Sequence, residues 1–171
     1  MVPEAQLKKT EHGLAPEGGG WYVLNMRDAD QIGVNPFVLM PGEAMSMYHW
    51  EADQEDFLVL AGEALLVVEG EERRLRQWDF VHCPPGTKHT IVGAGEGPCV
   101  VLAVGARATS GPGWGGYTVD EAALRHGAGV ERETSDELEA YASVTWRRHT
   151  TYRNGWLPDW STRREACGAA P

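Results

Sequence analysis

The stretch Trp78-Asp79-Phe80-Val81-His82-Cys83-Pro84-Pro85-Gly86-Thr87-Lys88-His89 sets a short run of strand-forming residues against a Pro-Pro-Gly turn and closes on a histidine. Proline lacks a backbone donor and glycine opens the left-handed region, so neither helix nor strand runs through residues 84–86 and the chain turns there. The same rhythm continues in both directions. Upstream lie Phe37 to Leu39, Ser46 to Trp50, Phe57 to Ala61 and Ala64 to Val68; downstream lie His89 to Val92 and Cys99 to Val104. Pro41-Gly42, Gly62-Glu63, Glu69-Gly70-Glu71 and Gly93 to Pro98 separate them. Short strands with turn residues every ~8–12 positions mark an all-β sandwich or barrel, and no helical pattern intervenes as parallel βαβ units would require. Ala64 to Val68 and Val100 to Val104 are apolar on both faces. A second subunit, the N-terminal arm or the C-terminal extension is expected to cover their outer sides.

Histidines and carboxylates gather in two segments of this region. In the first, Gly42 is followed by Tyr48-His49-Trp50-Glu51, then Glu55 and Gly62; the second holds Pro84, Gly86 and His89. Together they resemble the paired motifs of the cupin family, G-x5-H-x-H-x3,4-E-x6-G and G-x5-P-x-G-x2-H-x3-N. The second segment matches at Pro84, Gly86 and His89 and the first at Glu55 and Gly62, whereas its H-x-H does not stand in the family's place. The resemblance covers residues 36–107. It implies a cupin-type double-stranded β-helix, a jelly-roll barrel, in which two histidines and the glutamate of the first motif join the histidine of the second around a divalent transition metal.

Two registers of the first motif are open. Counted from Gly42, the histidine positions fall on Tyr48 and Trp50, leaving Glu55 and His89 as donors. A catalytic metal typically has three protein ligands, so this register implies a metal-free pocket lined by Tyr48 and Trp50. Shifted by one residue, His49-x-Glu51-x3-Glu55 fits, with Glu51 in place of the second histidine. Strand alternation then turns His49 and Glu51 inward and Tyr48 and Trp50 outward. The metal set becomes His49, Glu51, Glu55 and His89, a mixture of imidazole and carboxylate that suits one iron, manganese, zinc or nickel ion. His82 is a candidate further ligand, or a partner that orients one. A facial arrangement of His49, His89 and one carboxylate leaves positions open for a small oxygenated substrate, which implies oxygenase, decarboxylase or isomerase chemistry. The metal-free register implies a non-catalytic ligand-binding or sensor domain.

The rest of the chain bounds these readings. With 171 residues, one core domain plus extensions is expected. Lys and Arg number 15 against 25 Asp and Glu, and the resulting net charge of -10 disfavours nucleic acid and anionic membrane surfaces as partners. Residues 1–9 lack the apolar run of a signal peptide, and no stretch reaches the ~20 apolar residues of a membrane span, so a cytoplasmic location is expected. Three cysteines without C-x-x-C spacing argue against a disulfide framework. We divide the chain into an N-terminal arm with one added strand (1–35), a barrel (36–107) and a C-terminal helical extension and tail (108–171). In the extension, Ser110 to Gly116 reads as a loop. Asp120 caps a helix from Glu121 that stops at Gly127, and Thr134 or Ser135 caps a second from Asp136 to Ala142. Trp146, Tyr152, Trp156 and Trp160 in the tail are expected to dock on the barrel or on a second copy, and a homodimer is expected.

Overall fold

The computed structural model describes residues 21–23, 31–109, 111–144, 147–149 and 154–157. The arm at residues 1–20 and the tail residues Trp146, Tyr152 and Trp160 lie outside the described residues. Two sheets face each other. One runs in the order β11 (Arg147–His149), β1 (Trp21–Val23), β2 (Ile32–Leu39), β9 (Cys99–Ala106), β4 (Glu55–Ala61), β7 (Phe80–Cys83). The other runs β10 (Gly115–Tyr117), β3 (His49–Glu51), β8 (His89–Gly93), β5 (Glu63–Val68), β6 (Glu71–Arg76). The pairing within the barrel is antiparallel, and β1 with β11 is a parallel pair. This is an all-β, double-sheet jelly roll, with two short helices among the described residues, α1 (Glu121–Arg125) and α2 (Glu137–Ala140).

Alternation in the strands builds the interior. On β4, Phe57 and Val59 turn inward and meet Leu39, Leu66, Ile91 and Val101 in the main core. The outer faces of the two doubly apolar strands are covered by the chain's own C-terminal extension. Val67 of β5 packs with Tyr48 and with Ala122 and Ala123 of α1, while Val100 of β9 packs with Val38, Ala61 and Trp156.

Local chemistry explains the turns and caps. Gly86 stands at φ 84, and Thr87 N–H donates to the Pro84 carbonyl across the turn (3.1 Å), which releases the chain into β8 at His89. Asp120 caps α1 as expected, its carboxylate accepting from Ala123 N–H at 2.9 Å. The cap of α2 is Asp136, beyond the expected Thr134 or Ser135, because the Thr134 backbone is engaged in a two-way pairing with Tyr117. The expected loop at residues 110–116 instead runs into strand β10 at Gly115. Strand β10 lies so close to β3 that a Cβ on Gly115 would stand 2.2 Å from the Trp50 carbonyl oxygen. No helix among the described residues is long and apolar enough to cross a membrane.

Candidate metal centre

The two inward-facing histidines sit opposite each other on neighbouring strands. His49 of β3 pairs directly with His89 of β8, and their ring centroids are 5.0 Å apart. Glu55 reaches them from β4 in the facing sheet. His49 Nε2 lies 3.6 Å from Glu55 Oε2, and His89 Nε2 lies 3.3 Å from the same oxygen. One donor atom from each of the three residues falls within 4.8 Å of the other two.

The tautomers follow from the backbone. His49 Nδ1–H donates to the Met47 carbonyl at 2.8 Å, and His89 Nδ1–H donates to the Thr87 carbonyl at 3.0 Å. A carbonyl can only accept, so each Nδ1 carries hydrogen and each Nε2 is left to face the centre. Among the described residues, His89 Nε2 and Glu55 Oε2 are buried without a hydrogen-bond partner and lie 3.3 Å from each other. Burial opposes ionisation of Glu55, but the His89 and His49 imidazoles beside it hold its carboxyl below the usual range. Burial likewise disfavours a charged His89, yet the Cys83 thiol and the Glu55 carboxylate outweigh it and push the imidazole up to about 10. Cys83 reaches this position because it is the register partner of Glu55 on β7.

This arrangement fits a divalent transition metal. Metal–ligand bonds of ~2.0–2.2 Å place neighbouring donors ~3–3.5 Å apart, close to the 3.6 and 3.3 Å that separate the two histidine Nε2 atoms from Glu55 Oε2. Two imidazole nitrogens and a carboxylate oxygen suit the first-row ions named above. Unsatisfied buried donor atoms converging on one point are costly unless something occupies it.

The other sequence candidates are placed differently. Glu51 Oε1 stands 3.6 Å from His49 Nε2, on the cavity wall and outside the three-residue cluster. Tyr48 and Trp50 do not line the cavity. Alternation sends Tyr48 to the outer side, where it lies under α1 with its hydroxyl accepting from Gly70 N–H, and burial together with Asp120 pushes its phenol up to about 12. His82 also faces away, since Asp56 and His82 pair on the outer side of β4 and β7, and its Nδ1 contacts Asp56 Oδ1 at 2.6 Å. It lies apart from the cluster of His49, Glu55 and His89.

A cavity of about 450 Å³ opens from the centre, within the range of small-molecule sites. Phe37, Met45 and Phe57 come from the barrel, whereas Trp114, Tyr117 and Tyr141 form an aromatic wall that the motif reading did not include. Tyr117 pairs with His49 across β10 and β3, and Tyr141 meets Tyr117 edge-on at 5.7 Å. Asn35 and Arg107 also line this space. They carry no motif spacing, and only the alternation of β2 and β9 pointed inward would have marked them.

Residues 36–105 match the family model described as the cupin domain. Among curated proteins nothing matches the chain. Similar solved structures include a sugar phosphate isomerase from a cupin superfamily, from Silicibacter pomeroyi, at 30% identity and TM-score 0.48 over 52% of this chain and 60% of that one. A double-stranded β-helix protein from Klebsiella pneumoniae aligns at 20% identity and TM-score 0.50, over 61% of this chain and 95% of its own. A DMSP lyase from Ruegeria pomeroyi aligns at 22% identity and TM-score 0.46, over 53% and 50% of the two chains. The chain thus spans less than two thirds of the isomerase and about half of the lyase. With two facing antiparallel sheets and the sequence match over residues 36–105, this region of the chain is similar to the cupin domain in both sequence and fold.

Proposed function

We propose that the barrel holds one divalent transition metal through His49, Glu55 and His89 and acts on a small oxygenated molecule bound in the adjoining cavity. The observation that carries this reading is the convergence of two Nε2 atoms and one carboxylate oxygen, with both Nδ1 atoms already anchored to backbone carbonyls. Bound there, the metal would supply Lewis acidity or dioxygen activation, the chemistry shared by oxygenases, decarboxylases and isomerases of this kind. His89 must give up its Nε2 proton to become a ligand, so metal binding is accompanied by proton release. Glu51, on the cavity wall beside His49, is positioned to hold or move a substrate proton rather than to complete the ligand set. Trp114, Tyr117 and Tyr141 exclude water on the extension side. A homodimer belongs to this proposal, supported by exposed Trp78 and Phe80 at the β7 edge.

Elemental analysis of protein purified without added metal tests the centre. Wild type is expected to carry near-stoichiometric metal, with His49→Ala and His89→Ala each losing most of it. Full occupancy in both variants would overturn the assignment.

A further inference from the structure

Between Glu55 and Arg107 the cavity has a floor with no side chains. Gly105 of β9 is paired with Glu55 on one side and with Gly33 of β2 on the other, so the three residues form a row across the sheet. All line the cavity. At a strand spacing of ~4.8 Å, the row spans roughly 10 Å from Glu55 to Gly33.

The far end of that row is built around a guanidinium. A Cβ on Gly33 would lie 2.8 Å from both Nε and Nη2 of Arg107, so the arginine lies across Gly33 in space that any other residue would occupy. Gly33 is buried although it sits near a strand end. The Arg107 backbone is tied down by its N–H donating to the Gln31 carbonyl at 3.0 Å. Next along the inner face of β2 is Asn35, whose Oδ1 is buried and, among the described residues, lacks a hydrogen-bond donor. The other charged walls are acidic. Glu51 and Glu137 line the same cavity, which confines an anionic group to the neighbourhood of Arg107 or of a cation held by His49, Glu55 and His89.

We propose that the cavity takes a small hydroxylated acid whose distal anionic group, carboxylate or phosphate, is held by Arg107 above the Gly105 and Gly33 floor. A hydroxyl on the same molecule donates to Asn35 Oδ1. The near end lies at the metal centre, and to that extent the inference rests on the proposed function. The guanidinium fork suits either oxyanion, since both accept two parallel hydrogen bonds. Bare backbone between the two ends selects a short, slender ligand, because any side chain at residue 105 or 33 would stand in its path.

Three probes isolate the distal group. 2-Hydroxybutyrate ends in a methyl, malate places a carboxylate there, and 3-phosphoglycerate places a phosphate. Calorimetric titration of the full chain, with metal measured on the same batches, is expected to show malate or 3-phosphoglycerate binding at least tenfold tighter than 2-hydroxybutyrate. Whichever of the two binds tighter identifies the oxyanion. In Arg107→Gln the preference should fall below threefold with metal content unchanged, and Arg107→Lys should restore part of it. Gly33→Ala, which retains the arginine but displaces it, should also weaken the preference and serves if Arg107→Gln folds poorly. Equal binding of the three probes, binding of none, or a preference that survives both Arg107→Gln and Gly33→Ala overturns the proposal. Metal-free wild type would sink the metal reading instead, while the contrast between malate and 2-hydroxybutyrate would still report on Arg107.

Discussion

At residue scale, Glu55 and His89 form a buried pair whose charges depend on each other, and pH should reveal this in metal-stripped protein. His89 is raised from 6.5 to about 10 on folding, so its contribution is fully present below 6.5 and is lost as pH rises through about 10. Glu55 is lowered from 4.5, so its contribution is present above 4.5 and is lost as pH falls through the depressed value. In chelator, the urea midpoint of wild type minus that of Glu55→Gln is therefore expected to be greatest between 4.5 and 6.5 and to decline on both sides. A difference independent of pH would mean that the pair is not ionised as described. The sequence showed which residue types would gather here, since Glu55 and His89 stand at motif spacing. It did not separate His49 from Tyr48 or exclude His82, because a one-residue slip exchanges the faces of a strand and register is settled by pairing across strands. Opposition of His49 to His89 and of His82 to Asp56 supplies that information.

At the scale of elements, the turn before β8 was legible because its cause is local: proline at the second position and a left-handed glycine at the third define it without help from the rest of the fold. Gly86→Ala meets no atom within 4 Å, so its cost comes from φ 84 alone. About 1–2 kcal/mol of destabilisation is expected from that strain. Because the same turn sets His89, the variant should also weaken metal binding. Chemical denaturation with and without metal checks both effects, and unchanged metal affinity would show that β8 is held independently of its turn. Strand β10 was hidden for the opposite reason. Gly115 and Gly116 look like loop, and what makes them a strand is the close approach of β3, a non-local fact. Tyr141 belongs to this class too. Its hydroxyl accepts from Met47 N–H at 3.1 Å, linking the segment after α2 to the chain just before His49. Tyr141→Phe should cost about 1 kcal/mol for the lost bond.

At the scale of the molecule, the extension closes what the barrel leaves open. The need for a cover on β5 and β9 was readable from their apolar outer faces, but its source among three candidates was not, since composition cannot say which surface arrives first. Ala122, Ala123 and Trp156 supply it from the same chain. A dimer interface is therefore expected elsewhere, at the edge of the six-stranded sheet that no other described strand pairs. Strand β7 ends that sheet, and Trp78 and Phe80 beside it are each 64% exposed. An unpaired edge flanked by two large aromatics is unfavourable in water, and pairing β7 with its copy around a twofold axis would bury both rings and extend the sheet. Light scattering at micromolar concentration is expected to give twice the chain mass of 18.7 kDa for wild type. Trp78→Ser with Phe80→Ser should return the single-chain mass, with metal content unchanged because both rings are exposed and Phe80 shares the outer face of β7 with His82. A monomeric wild type would show that the β7 edge is tolerated in solution, and a double variant that stays dimeric would place the interface on another surface.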